Sequence, residues 1–415
     1  MNFKKLEISE WQQFQNINID FHNRLTILTG ANGSGKTTIL ANILARHQNW
    51  SIHSLATPKK IENSSVVSFL TRLFNGQNKS HEKAIGELSY DNNLVAALEV
   101  PNQNSPQYHI TIKNQQSVNC FFMPSHRPPF RYQPINNIPY SKKNTETAFQ
   151  EVSEANKAPY LGNNNSSNSF FMKSSLIGWA IQGYGIQNNE QEIMPRDEEQ
   201  IQYFEGFQEV LRRVLPKTLG FRNFEIRERE IVFVCNQGKD EFILEQASGG
   251  ISALIDIAWQ IYMFAAKEKS TFTVIIDEVE NHLHPIMQRQ IMPDLLNAFP
   301  NTCFIVSTHS PLVVGSVRDS NVYVLKYNNE NKIISNKLDL VNQAKTATEI
   351  LDEVLGVTFT IPIWAEKELQ NIIHAFSQKE MTKSDFTEMR TSLKTIGLER
   401  FVPQAIENIL DKKND

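Results

Sequence analysis

The chain is poor in cysteine, has no long apolar run and carries no excess of positive charge. Its three cysteines, Cys120, Cys235 and Cys303, are odd in number and far apart. That pattern argues against a disulfide framework or a thiolate metal site, so they read as reduced core residues of a cytoplasmic protein. No stretch approaches the ~18 consecutive apolar residues of a membrane span. The N-terminus, MNFKKLEISEWQQF, lacks the apolar centre of a signal peptide, and no membrane partner is expected. Lys plus Arg number 41 against 45 Asp plus Glu, a formal net charge of −4. Nothing in this balance demands nucleic acid, although a local basic patch leaves DNA or RNA open as a partner. Sustained heptads are missing, which argues against a long coiled-coil arm. What is present is 40% apolar and 21% charged residues over 415 positions, enough to bury a core. That length suits about two to three domains.

One stretch organises the rest. Residues 25–28 read as a buried strand. Gly30, Ala31, Asn32, Gly33, Ser34, Gly35, Lys36, Thr37 and Thr38 follow, and a helix-forming run continues to Arg46. This is G-x-x-x-x-G-K-T with a strand before it and a helix after it. The glycines let the backbone turn so that its N–H groups face a phosphate, and the helix N-terminus adds partial positive charge. Lys36 reaches the β- and γ-phosphates of a nucleoside triphosphate, and the Thr37 hydroxyl is a ligand for Mg²⁺. A chance Gly-rich turn before a lysine explains this poorly, because both flanks also fit.

Three later motifs fall in a telling order. Ala247-Ser248-Gly249-Gly250 opens an apolar helix; a Ser-Gly-Gly turn there is a second anion cradle. A buried strand over residues 272–276 ends in Asp277-Glu278. Paired carboxylates at a strand end suit Mg²⁺ held by Asp277 and an attacking water activated by Glu278. His282 and His284 follow. No Cys or carboxylate set completes a zinc cage around them, and polar contacts across a dimer are the better reading. The strand over 303–306 ends in Ser-Thr-His309-Ser-Pro, where a histidine can sense a γ-phosphate. Residues 118–123 form another buried strand; Arg127, just beyond it, either stands beside the phosphates or is structural. Trp11 either lies near an adenine ring or is an ordinary half-buried aromatic.

Between these motifs the pattern is mixed. Residues 3–8 and 17–21 read as strands that join 25–28 in an N-terminal meander. Residues 65–74 are amphipathic. The Pro-, Asn- and Ser-rich stretch over 132–170 reads as a flexible loop. Ile201, Phe204, Phe207, Leu211 and Val214 fall at helical spacing, and Pro216 stops that helix. Helices are expected over 348–355, 365–376, 382–396 and 403–410, the third opened by a Thr382-x-x-Asp385 capping box. This tail is either a docking surface or a lid.

GANGSGKT, ASGG, IIDEVENHLHP and STHSP, in that order, resemble the ATP-binding-cassette class of ATPases. Within it the chain resembles the soluble branch of RecF, the structural-maintenance-of-chromosomes heads and the overcoming-lysogenization-defect ATPases. The D-E-x-E-x-H-L-H-P form points to that last group and to prokaryotic antiphage-defence ATPases such as Septu. The resemblance implies an α/β P-loop ATPase head: a mixed sheet with an antiparallel β-meander and parallel core strands, an α+β insertion and a helical C-terminal tail. Expected boundaries are a head over 1–330, with one lobe from 1–60 and 265–330, an inserted lobe over about 61–264, and a helical region over 331–415. It further implies an ATP- and Mg²⁺-dependent homodimer or higher even oligomer. Residues 30–38, Asp277, Glu278 and His309 of one chain would share each ATP with Ser248, Gly249 and Gly250 of the other. The signature here is ASGG rather than Leu-Ser-Gly-Gly-Gln, and no glutamine-bearing loop is securely placed. No Asp-x-Asp pair occurs after His309, so no metal-dependent nuclease domain is expected in the chain. The preferred function is an ATPase that controls a separate effector, a nuclease or toxin, in antiphage defence. A RecF-like DNA-repair ATPase and a nucleotide-dependent scaffold with little turnover are the alternatives.

Overall fold

The computed structural model describes residues 1–52, 54–56, 82–101, 107–137, 141–163, 167–188, 191–267, 270–339, 349–350, 362–377, 382–403, 405–406 and 409. The chain divides into two compact units, Met1–Ile350 and Leu351–Asp415.

In the first unit, β1 (Phe3–Trp11) and β2 (Phe14–Asp20) form an antiparallel hairpin that pairs Leu6 with Ile19 and Ile8 with Ile17. All six residues of β3 (Leu25–Gly30) are buried, as suits a strand covered on both faces. It feeds the short α1 (Lys36–Ile39), which continues through a π turn and a 3₁₀ turn to Gln48. β4 (Glu82–Tyr90), β5 (Val95–Pro101) and β6 (Thr111–Lys113) extend the sheet antiparallel, and β7 (Cys120–Met123) is fully buried. A helical layer follows: α2 (Thr145–Lys157), α3 (Asn168–Tyr184) and α4 (Glu198–Val214), with a small hairpin of β8 (Ile186–Asn188) and β9 (Gln191–Met194) between the last two. β10 (Phe221–Arg227), β11 (Glu230–Cys235) and β12 (Asp240–Ile243) make a separate antiparallel sheet. Then come α5 (Gly249–Lys267), β13 (Phe272–Ile276), α6 (Pro285–Ala298), β14 (Thr302–Ser307), α7 (Pro311–Val314), β15 (Asn321–Tyr327) and β16 (Ile333–Leu338).

The main sheet has 11 strands in the order β6-β5-β4-β1-β2-β16-β15-β3-β14-β13-β7. Its β15-β3-β14-β13-β7 half is parallel throughout. The carboxyl ends of β3, β14, β13 and β7 therefore meet at one edge, where open α/β sheets bind ligands. The fold is an α/β P-loop ATPase head.

Three local expectations change. β3 does not complete a meander with β2; it sits between β14 and β15, as suits a strand buried along its whole length. β4 to β7 lie in the main sheet rather than in the inserted lobe. The stretch over 132–170 is not all loop. Asn144 caps α2 by accepting from Thr147 N, and Ala148, Val152 and Ala155 give that helix a buried face that its polar composition hides. The expected segment 65–74 lies outside the described residues, as does most of 348–355.

α5 is, among the described residues, the one helix long and apolar enough to cross a membrane, and 67% of that window is buried inside the protein. Its Trp259 stacks on Trp179 of α3, ring centroids 5.4 Å apart. The second unit contains α8 (Ile363–Ser377) and α9 (Lys383–Thr395), with a core around Leu369, Ile373, Met389 and Leu393. The capping box is formed: Thr382 accepts from Asp385 N, and the Asp385 carboxylate accepts from Thr382 N.

Candidate nucleotide-binding site

The loop after β3 is held in one shape from both sides. Gly30 has φ +139°, and a Cβ there would lie 2.2 Å from the Leu325 carbonyl oxygen. Gly35 has φ +84°, and its Cβ would strike the Phe14 ring at 2.2 Å. Glycine is required at both positions by dihedral and by space. Lys36 is buried, and its Nζ donates to the carbonyls of Gly30 and Ala31, each at 3.0 Å. Burial lowers its pKa to about 8, although Asp277, Glu278 and Glu280 pull the other way. The amine is thus a buried cation satisfied by neutral carbonyls, and an anion entering the loop is its natural partner.

β13 delivers the carboxylates. Asp277 is buried; its Oδ2 accepts from Thr37 Oγ1 at 2.8 Å and its Oδ1 from Ser307 Oγ at 2.5 Å. Burial raises its pKa, against the opposing hydrogen bonds from Ser307 and Thr37. The Thr37 hydroxyl and an Asp277 oxygen meeting at 2.8 Å form an oxygen donor pair of the kind Mg²⁺ takes. Ser307 Oγ also accepts from Glu278 N at 2.8 Å, so one hydroxyl from β14 fixes both acids. Glu278 has φ +48°, a strained conformation for a residue with a Cβ. Asn281 Nδ2 donates to Glu278 Oε2 at 2.8 Å and to the Ser125 carbonyl at 3.1 Å.

His309, beyond β14, donates its backbone N–H to Glu280 Oε1 at 2.5 Å. Burial lowers its pKa and the Lys36 charge adds to that, against the pull of Glu280, Glu278 and Asp277; the net lowering favours the neutral ring. Glu280 Oε2 is buried without a partner. Arg127 is buried beside the same turn, its Nη2 3.5 Å from the carbonyl oxygens of Glu278 and Asn281. Its Nε and Nη1 have no partner, and burial lowers its pKa against the pull of Asp256 and the three acids of the turn.

Ser248 and Gly249 are exposed at the start of α5. Gly250 lies against the 282–287 turn: a Cβ there would be 3.1 Å from Met287 Sδ and 3.2 Å from the His282 carbonyl oxygen. Among the described residues, no hydrogen bond or ion pair joins 248–250 to the 30–38 loop. His282, at φ +68°, and His284 are both exposed, and His284 Nδ1 caps α6 by accepting from Ile286 N at 3.4 Å. Trp11 is buried against Phe14 with ring centroids 5.7 Å apart.

Sequence reasoning missed four residues. Ser307, Asn281 and Glu280 lie inside recognised motif strings, yet their partners become visible only when β13, β14 and β7 are side by side. Tyr327 gave no signal; it ends β15 with its hydroxyl 3.4 Å from the Gly33 carbonyl.

Several known proteins are similar to this chain. A "Retron Ec83 probable ATPase" from Escherichia coli is 34% identical over 115 residues, 26% of this chain and 21% of that protein. The aligned part therefore spans about a fifth of that relative's length. The "Septu protein PtuA" of Bacillus thuringiensis is 22% identical over 371 residues, covering 86% of this chain and 85% of the relative. The "SMC head domain from Thermotoga maritima" aligns over 81% of this chain and 99% of its own, at 15% identity and a TM-score of 0.42. The family described as "AAA domain, putative AbiEii toxin, Type IV TA system" matches residues 25–315. That match runs from the first residue of β3 to the glycine after α7 and takes in the phosphate loop, the Ser-Gly-Gly turn, the Asp-Glu pair and His309, so the chain belongs to this AAA-domain family.

Proposed function

We propose that this chain is an ATP-driven switch that dimerises around two shared ATP sites and controls a separate effector in antiphage defence. The observation that carries the chemistry is the Thr37–Asp277–Ser307–Glu278 chain of hydrogen bonds, which ties the phosphate loop to both acids. In this reading the backbone N–H groups of residues 30–38 and Lys36 grip the β- and γ-phosphates. Thr37 and Asp277 hold Mg²⁺, which when bound neutralises charge on the phosphate oxygens. Glu278, oriented by Asn281, takes the proton from the attacking water, and His309 contacts the γ-phosphate. The exposed Ser248 and Gly249 meet the ATP of a second copy, so that ATP holds the pair together and hydrolysis releases it. Kinship with proteins named for Septu and for a retron supports the defence role; the controlled partner in this reading is a nuclease or toxin.

Glu278→Gln tests the chemical core. ATP binding should persist while turnover falls by about 10²–10⁴-fold, the usual worth of a general base. Wild-type turnover in that variant would remove Glu278 from the mechanism. For the effector, expression with the neighbouring genes should co-purify a protein whose release depends on ATP.

A further inference from the structure

A buried ion cluster sits directly ahead of the Ser-Gly-Gly turn and has no part in the phosphate-loop chemistry. The side chain of Lys173, on α3, is wholly buried. Its Nζ lies 2.9 Å from Glu230 Oε2 and 2.6 Å from Glu245 Oε1. Glu230 opens β11 and also accepts from the Tyr132 hydroxyl at 3.1 Å. Glu245 is nearly as deeply buried as Lys173, at 1% side-chain exposure, and among the described residues the Lys173 ammonium is the polar group that holds its carboxylate. Burial by itself pulls the Lys173 pKa down, yet Glu245 and Glu230 reverse this and leave it raised. The group is a cation at neutral pH.

Location gives this cluster its meaning. Glu245 lies in the 3₁₀ turn Leu244–Gln246, with Leu244 sunk in the core, and Ala247 and Ser248 come next. Of the turn that follows, Ser248 and Gly249 are exposed and a Cβ on Gly249 would meet no atom within 4 Å, while Gly250 packs against the 282–287 turn. Ahead of that contact the turn is held from inside, where one ammonium ties it to α3 and β11. A pair of apolar side chains could match the stability of a buried ion pair, but would not fix the turn to one partner atom.

We propose that Lys173 is a positioning residue which, through Glu245, sets the Ser248–Gly250 turn for the ATP held by a second copy of this chain. This rests on the shared-site reading above. Its consequence is distinctive. Lys36 serves the ATP of its own chain, whereas Lys173 serves the ATP of the partner.

Mixing inactive full-length variants tests this. Lys173→Met alone strands the Glu245 carboxylate, so the working variant is K173M/E245Q, which leaves neither charge at that contact. It should bind a fluorescent ATP analogue as the wild type does and turn ATP over at least tenfold more slowly. Mixed in equal amounts with Lys36→Ala, it should recover about a quarter of the wild-type rate. Half the dimers are then mixed, and each carries one intact site of two. Ser248→Arg mixed with Lys36→Ala is the control and should recover equally. If the control recovers and K173M/E245Q does not, Lys173 does not act on the partner's site and the inference falls. If neither recovers, the shared-site reading itself fails and takes the inference with it. Full turnover by K173M/E245Q alone would also overturn it.

Discussion

Lys36 shows how a single residue ties stability to binding. Its ammonium is buried against neutral carbonyls, and its pKa is lowered to about 8 by that burial. A triphosphate stabilises the charged form, so the pKa must rise when ATP binds, and binding takes up a proton wherever the free amine is neutral. ATP affinity should be level below about pH 7 and weaken as pH climbs through 8, approaching about tenfold per pH unit. Titration with a fluorescent ATP analogue across that range measures it. Lys36→Ala should bind far more weakly and lose the slope, while a level wild-type profile would show that Lys36 is not a phosphate ligand. Asn281 offers a second residue-scale test. It holds Glu278 from one side while the Ser125 carbonyl holds Asn281 from the other. Asn281→Ala frees the Glu278 carboxylate without touching the phosphate loop. Turnover should drop by about 10–100-fold with unchanged ATP affinity, as expected when a catalytic group is misplaced. Equal loss of affinity and turnover would instead point to collapse of the whole site.

At the scale of elements, the sheet depends on one close approach. Gly86 in β4 faces Ile8 of β1, and a Cβ there would lie 2.0 Å from the Glu7 carbonyl oxygen and 2.9 Å from Ile8 Cα. These are backbone atoms inside a strand and cannot swing aside. Gly86→Ala should cost about 1–3 kcal/mol, the usual range for overpacking a tight core position, read from the urea midpoint by tryptophan fluorescence. An unchanged midpoint would mean that β4 rides free of β1. The same elements explain what could be read in advance. β3, β13 and β14 were legible because buried parallel strands are nearly continuous apolar runs. α4 was legible because Asp197 caps it and its five apolar residues share one face. α2 was hidden because its buried face uses two alanines and a valine among polar neighbours. The sheet neighbours of β3 and β4 were hidden for another reason: periodicity marks a strand but not the strand beside it. In the site, the phosphate loop, Asp277, Glu278 and His309 were each legible from their strings. The hydrogen bonds through Ser307, Asn281 and Glu280 were not, since they depend on which strand ends the fold brings together.

For the whole molecule, the decisive question is where the Ser-Gly-Gly turn finds its ligand. Within one chain that turn is exposed and has no hydrogen bond to the 30–38 loop among the described residues. In the proposed twofold pair each turn would meet the other chain's nucleotide, and both contacts would form together. On that proposal ATP is a ligand of the dimer and not of the monomer's turn, and should shift association by mass action. Wild-type turnover would erase the effect, and Glu278→Gln should preserve it. Glu278→Gln with ATP and Mg²⁺ should therefore gain mass in light scattering, while wild type should return to its starting mass as ATP is consumed. Adding Ser248→Arg to Glu278→Gln should abolish the gain while leaving nucleotide binding intact, because the long guanidinium side chain would fill the space the partner's phosphates need. Any association through other surfaces is present with and without nucleotide, so the difference between these two variants isolates the shared site. A mass gain that survives Ser248→Arg would place the ATP-dependent interface elsewhere on the molecule.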